Sequence, residues 1–229
     1  PLNIRASKCI FLCIFAGCMC HFELLDKMIL LNGKQASQDF QQEIAQKVRA
    51  MREAGGKAPH LAAILVGNDG ASESYVAGKV QDCENIGFES TLIRLPDTTS
   101  EEELLMHIHA LNQDAGVDGF IVQLPLPKHI NADKVTQAIA PEKDVDGFHP
   151  INVGRMAKNL PAYISATPFG ILKLLEKYNI VLAGKHAVVL GRSQIVGSPM
   201  SILLARNAAV GNCTVTLCHS KTQDIAKYT

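Results

Sequence analysis

From residue 28 onward, short apolar runs alternate with segments whose apolar residues recur every three or four positions. That is the pattern of strands alternating with amphipathic helices. Met28-Ile29-Leu30-Leu31 opens the series as a strand, and Phe40, Ile44, Val48 and Met51 follow at helical spacing until Gly55-Gly56 ends the helix. His60 to Val66 predicts a buried strand, closed by the polar turn Gly67-Asn68-Asp69-Gly70. The next helix turns Val76, Val80 and Cys83 to the core and stops at Gly87. Glu89 to Leu95 predicts a strand, and Ser100 with Glu103 forms a capping box for a helix carrying Leu104, Ile108 and Leu111. Val117 to Leu124 predicts a strand, and Asn131 to Ala140 a short helix closed by Pro141. This order implies a parallel sheet covered on both faces.

After Pro150 the pattern restarts. Thr167-Pro168 predicts an N-cap with proline at the first helical position, launching Ile171 to Tyr178. Lys185 to Leu190 predicts a strand, Ser198-Pro199 starts a helix, and Thr214 to Leu217 is a further strand. The chain reaches Thr229 just as another helix should begin, so the second β-α-β unit is read as C-terminally truncated. The expected fold class is α/β with two domains, residues 28–148 and 149–229. Residues 1–27 stand apart: Arg5 and Lys8 precede the apolar run Cys9 to Cys20, which is too short to span a bilayer and has no small-x-small cleavage site after it. They are read as an upstream extension outside the fold, with a signal or anchor as the alternative.

Composition narrows the partners. Lysine plus arginine equals aspartate plus glutamate at 22 each, so no global field recruits nucleic acid or an anionic membrane. Tryptophan is absent and aromatics make up 5%, which argues against a base-stacking platform. The seven cysteines include no C-x-x-C pair. Reduced, structural thiols in a cytoplasmic protein fit best.

Four motifs carry candidate chemistry. In Ser74-Tyr75-Val76-Ala77-Gly78-Lys79 the tyrosine and lysine project from one helix face, a turn apart. A phenol beside an ammonium is a proton-handling pair, and burial pushes the lysine toward neutrality; taken singly, the spacing also suits a solvated helix. Gly191-Arg192-Ser193-Gln194-Ile195-Val196-Gly197 lies between a strand and a helix, where a dinucleotide fold holds pyrophosphate at a helix N-terminus. Ser193 replaces the middle glycine of the usual pattern, and an ordinary tight turn is the plainer reading. The following strand ends in Cys218-His219-Ser220-Lys221 without an acidic residue for a ribose hydroxyl. Arg192, Ser220 and Lys221 would welcome a 2′-phosphate, which favours NADP. Gln123 ends an apolar strand just before Pro125 and Pro127, where ligands of parallel sheets collect. Asp144 and Asp146 lie at the join of the domains with no further ligand cluster nearby, so a carboxylate reading ring N–H donors fits better than a metal.

Together, Tyr75-x-x-x-Lys79, Val122-Gln-Leu-Pro-Leu-Pro127, Lys143-Asp-Val-Asp-Gly147, Gly191-Arg-Ser-x-Ile-Val-Gly197 and Cys218-His-Ser-Lys-Thr222 resemble the methylenetetrahydrofolate dehydrogenase/cyclohydrolase family. The resemblance runs from about Met28 to Thr229. It implies a bifunctional enzyme that oxidises 5,10-methylenetetrahydrofolate with NADP and hydrolyses the methenyl product to 10-formyltetrahydrofolate. By matching position it implies Lys79 as general acid/base, tuned by Tyr75 and Gln123. Tyr75 would also stack on the tetrahydrofolate derivative, Asp146 would anchor its pterin, and Ser72 would lie at the cleft edge. Gly191, Arg192 and Ser193 would hold a Rossmann-bound cofactor, with Ser220 near its 2′-phosphate. The resemblance also implies a homodimer, and it implies that a chain lacking the family's C-terminal loop and helix binds ligands poorly.

Two other enzyme classes and one non-enzyme fit parts of the pattern. Short-chain dehydrogenases carry Y-x-x-x-K after their glycine turn, whereas Tyr75 and Lys79 precede Gly191. A shikimate-dehydrogenase-like enzyme shares the two-domain plan without the Gln123 and Asp146 context. A non-catalytic folate- or nucleotide-binding protein is the third.

Overall fold

The computed structural model describes residues 29–229. The expected extension over residues 1–27 and the first residue of the strand expected at 28–31 lie outside the described residues. Ile29 and Leu30 form no strand and are 64% and 74% exposed. The chain turns instead straight into helix α1 (Gly33–Glu53), because the Asn32 side chain accepts a hydrogen bond from Gln35 N at 3.0 Å and caps it. The helical spacing expected there is real, but only Ala36 and Val48 are fully buried, and Met51 stays exposed.

Strand β1 (His60–Val66) runs beside β2 (Glu89–Leu95) and β3 (Gly119–Val122) in the parallel order β2-β1-β3. Helix α2 (Gly70–Ile86) connects the first pair, with Asp69 capping its start and left-handed Gly87 ending it. Helix α3 (Glu101–Gln113) begins where Ser100 accepts from Glu103 N at 3.1 Å, and α4 (Ala132–Ala138) begins at Asn131. Alternation along the strands sends Ala62, Ile64, Val66, Phe120 and Val122 into one core with Leu104, Ile108 and Val135 of α3 and α4. Ala63 and Ile121 point the other way, onto Val76 of α2 and Val145. Both faces of this sheet are therefore covered.

Helix α5 (Pro150–Ala157) is a helix that the sequence pattern did not announce: Pro150 starts it rather than ending a unit, and His149 Nδ1 accepts from Ile151 N at 3.1 Å. Helix α6 (Ala166–Lys177) starts earlier than expected. Its N-cap is Ser165, not Thr167, and Pro168 lies inside the first turn, where a missing N–H costs nothing. Strands β4 (His186–Leu190) and β5 (Thr214–Cys218) pair in parallel around helix α7 (Gly197–Ala205). Met156, Leu172, Met200 and Leu203 make their core with Ala187, Val189 and Val215. Among the described residues that core covers one face only, and Leu190 on the other face is 63% exposed. A short 3-10 turn, Ile225–Lys227, stands where a further helix was expected to begin.

Candidate active site

Val76 and Val145 share one small core cluster with Ala63 and Ile121. That packing brings Lys79, one turn along α2, to the residue following Val145. Lys79 Nζ lies 3.9 Å from Asp146 Oδ1 and 4.6 Å from the centroid of the Tyr75 ring. The two motifs expected to bear on a folate thus meet in space. Burial holds the Lys79 pKa below the ordinary lysine value, while the Asp146 carboxylate and then Cys83 pull it back up. Burial raises Asp146 above the usual carboxylate value; Lys79 opposes that shift and Asp144 adds to it. Tyr75 is 55% exposed, so its ring presents a face to solvent beside a lysine whose pKa burial lowers.

The loop bearing Asp146 is held on three sides. Lys143 Nζ donates to the carbonyls of Leu111 (2.8 Å) and Asp114 (2.6 Å) at the end of α3, where the helix dipole favours a cation. Phe120 N donates to Lys143 O at 2.9 Å, extending the sheet by an isolated bridge to Asp144. Asp144 is 2% exposed and accepts from His149 N and Asn152 Nδ2, each at 2.8 Å. Its charge is committed to the start of α5. Asp146, two residues on, is the carboxylate turned toward Lys79.

Two other expected residues have local partners. Gln123 Nε2 donates to Leu124 O at 2.7 Å, beyond the end of β3. Ser72 is buried, and both its N–H and its hydroxyl donate to Asp69 Oδ2 at 2.8 Å. Ser72 therefore anchors the first turn of α2 rather than presenting a free hydroxyl.

In the second domain, register pairs Leu190 with Cys218. Arg192 and Ser220 each follow by two residues, so they leave the carboxyl ends of adjacent strands together, beside Lys221. Gly191 N donates to Cys218 O at 2.7 Å. A Cβ on Gly197 would meet Gly191 O at 2.0 Å, so the turn lies directly against the first residue of α7. The α7 terminus differs from the expected pyrophosphate cradle. Ser193 Oγ accepts from Val196 N (3.2 Å) and Gly197 N (3.3 Å), and Ser193 O accepts from Ser198 N at 3.0 Å. Pro199 has no N–H. Ser193, at the position of the usual middle glycine, closes the turn on itself, and Arg192 beside it is exposed. A cavity of about 440 Å³ lies beside this turn, bounded by Arg192, Ile195 and Ser198 and by Leu124, Thr136 and Phe148 of the preceding elements.

Family models match both halves: "tetrahydrofolate dehydrogenase/cyclohydrolase, catalytic domain" over residues 31–146, and its "NAD(P)-binding domain" over residues 165–229. The bifunctional protein FolD of Flavobacterium johnsoniae is 58% identical over 202 residues, covering 88% of this chain and 68% of that protein. Its namesake from Porphyromonas gingivalis is 59% identical over 196 residues, 86% of this chain and 66% of that one. The chain thus spans about two thirds of the length of these relatives. Among solved structures, the bifunctional FolD enzyme of Campylobacter jejuni superposes with a TM-score of 0.84 at 43% identity, covering 89% of this chain and 71% of that one. The Trypanosoma brucei enzyme, solved with NADP and an inhibitor, gives 0.80 at 33% identity, covering 87% and 68%.

Proposed function

The chain belongs to the tetrahydrofolate dehydrogenase/cyclohydrolase family, and from that premise we propose that it oxidises 5,10-methylenetetrahydrofolate with NADP and hydrolyses the methenyl product to 10-formyltetrahydrofolate. The observation that carries this reading is the Lys79 amine, its pKa lowered by burial, between the Tyr75 ring and the Asp146 carboxylate. The methenyl carbon is cationic. Attack by water forms the C–O bond and releases one proton. The bond from that carbon to the departing nitrogen then breaks as the hydroxyl becomes the formyl C=O and loses its proton. The nitrogen gains one, so that one proton is released to solvent overall. Lys79, whose pKa burial lowers, is thereby more readily the free amine that takes the first proton, and it can return one to the nitrogen.

Tyr75 offers its exposed ring face to the folate, and Asp146 accepts from pterin N–H groups. Gln123, just past the end of β3, would add an amide to the folate site, and Ser72 holds the first turn of the helix that carries Lys79. NADP, when bound, supplies the hydride acceptor for the oxidation. Gly191 and Ser193 shape its turn, and Arg192 and Ser220 supply a cation and a hydroxyl for a 2′-phosphate. The division of labour is 28–148 for the folate and 149–229 for the cofactor, supported by α5 packing into the second core. A homodimer follows from the family resemblance, and a cytoplasmic location is supported by the free, buried Cys83, Cys213 and Cys218.

Two separate assays test the reading: NADPH formation from methylenetetrahydrofolate, and loss of the methenyl chromophore. Lys79→Met is expected to slow hydrolysis by roughly 10²–10⁴-fold while folate affinity stays near parental. Retained hydrolysis removes Lys79 from this role. Tyr75→Phe weakens turnover without abolishing it.

A further inference from the structure

Ser165 occupies an N-cap position, where serine normally accepts from the helix's own N–H groups. It makes no such bond. The residue is 4% exposed, and its hydroxyl donates to the carbonyl of Ile195, thirty residues on, at 2.5 Å. Ile195 is in the middle of the turn from Gly191 to Gly197 and lines the cavity beside it. The backbone of the same serine has a second neighbour. Gly147 has φ +69, and a Cβ there would lie 2.7 Å from Ser165 N and 2.8 Å from Ile164 C. The residue after Asp146 is therefore packed against the Ser165 backbone with no room for a side chain. One buried residue thus touches the carboxylate loop with its main chain and the dinucleotide turn with its hydroxyl. The helix start has no side-chain cap of its own.

We propose that Ser165 is a positioning residue for the dehydrogenase step, its hydroxyl tying the dinucleotide turn to the loop that carries Asp146. It acts through Ile195 and touches neither substrate. The proposal rests on the folate-and-NADP reading above and adds to it the element that sets one half-site against the other. Since the contact with Gly147 is through backbone, removing the hydroxyl frees the turn and leaves Asp146 and Lys79 where they are. The two activities should then separate, because hydrolysis needs no dinucleotide.

The test compares Ser165→Ala and Ser165→Thr with the parent by steady-state oxidation, methenyl hydrolysis and fluorescence titration with NADPH. Ser165→Ala is expected to lose about tenfold in kcat/KM for NADP and to bind NADPH more weakly, with hydrolysis within about twofold of parental. Ser165→Thr, which keeps the hydroxyl, should recover most of the loss. Equal falls in both activities, an unchanged oxidation, or a threonine variant no better than alanine overturns the proposal. A parent that binds NADPH but turns over no folate overturns the functional reading instead. The titration then decides the clamp alone, and equal affinities in parent and Ser165→Ala overturn it. A parent that does not bind NADPH overturns both.

Discussion

Replacing Gly197 by alanine adds one methyl group where the phosphate turn and α7 are in contact. The backbone of Gly197 is not in the left-handed region, so what the position lacks is room. The new Cβ would lie 2.0 Å from Gly191 O, 2.6 Å from Gly191 C and 3.0 Å from Arg192 Cα, against an ordinary contact of at least 3.4 Å. These neighbours are main chain and cannot rotate aside. The turn must withdraw, straining Gly191 N to Cys218 O (2.7 Å) and the bonds from Gly197 and Ser198 to Ser193. Overpacking plus a weakened hydrogen bond amounts to about 2–4 kcal/mol. That is a large part of a domain's stability but not all of it. Gly170→Ala is the matched control. It lies in α6 with nothing within 4 Å of its ideal Cβ, so the same methyl should stabilise by up to about 1 kcal/mol. Urea unfolding of both variants measures the opposite signs. NADPH titration should show weakened binding in Gly197→Ala and parental binding in Gly170→Ala, with oxidation in Gly197→Ala down about 10²-fold. A Gly197→Ala protein with parental midpoint and parental NADPH affinity would refute the reasoning.

Asp146→Asn tests the electrostatics of the lysine. The carboxylate 3.9 Å away raises the Lys79 pKa against the effect of burial, so neutralising it lowers that pKa further. The limb of the hydrolysis profile that rises with deprotonation of the lysine should therefore move to lower pH; an unmoved or alkaline-shifted limb in kcat/KM contradicts the pairing. Phe120→Ala tests the scaffold beneath the loop. Phe120 is fully buried, and its backbone also holds Lys143, so truncation should cost about 3–5 kcal/mol in urea unfolding.

Strands β1 and β2 were legible residue for residue, and so were the C-terminal end of α2 and the start of α3, because the signals are local. A run of buried aliphatics, a left-handed glycine at Gly87 and a capping serine at Ser100 act within one or two turns of chain. Candidate site residues such as Tyr75, Lys79 and Asp146 could be named from the sequence for a similar reason, since each carries its chemistry in its own side chain. Residues 29–31 of the strand expected at 28–31 form none, because an apolar run becomes a strand only beside a partner, and Asn32 starts a helix first. Helix α5 escaped notice because Pro150 can end one element or begin another, and that choice rests on its neighbours. The chain by itself determined which groups are present and the class of fold that carries them. Tertiary packing alone decided three things. Asp146 meets Lys79 because Val145 and Val76 share a core; Ser193 seals the start of α7; and Ser165 gives its hydroxyl to Ile195 instead of its own helix. Each depends on residues distant in sequence brought within a few ångströms, and no local pattern encodes such distances.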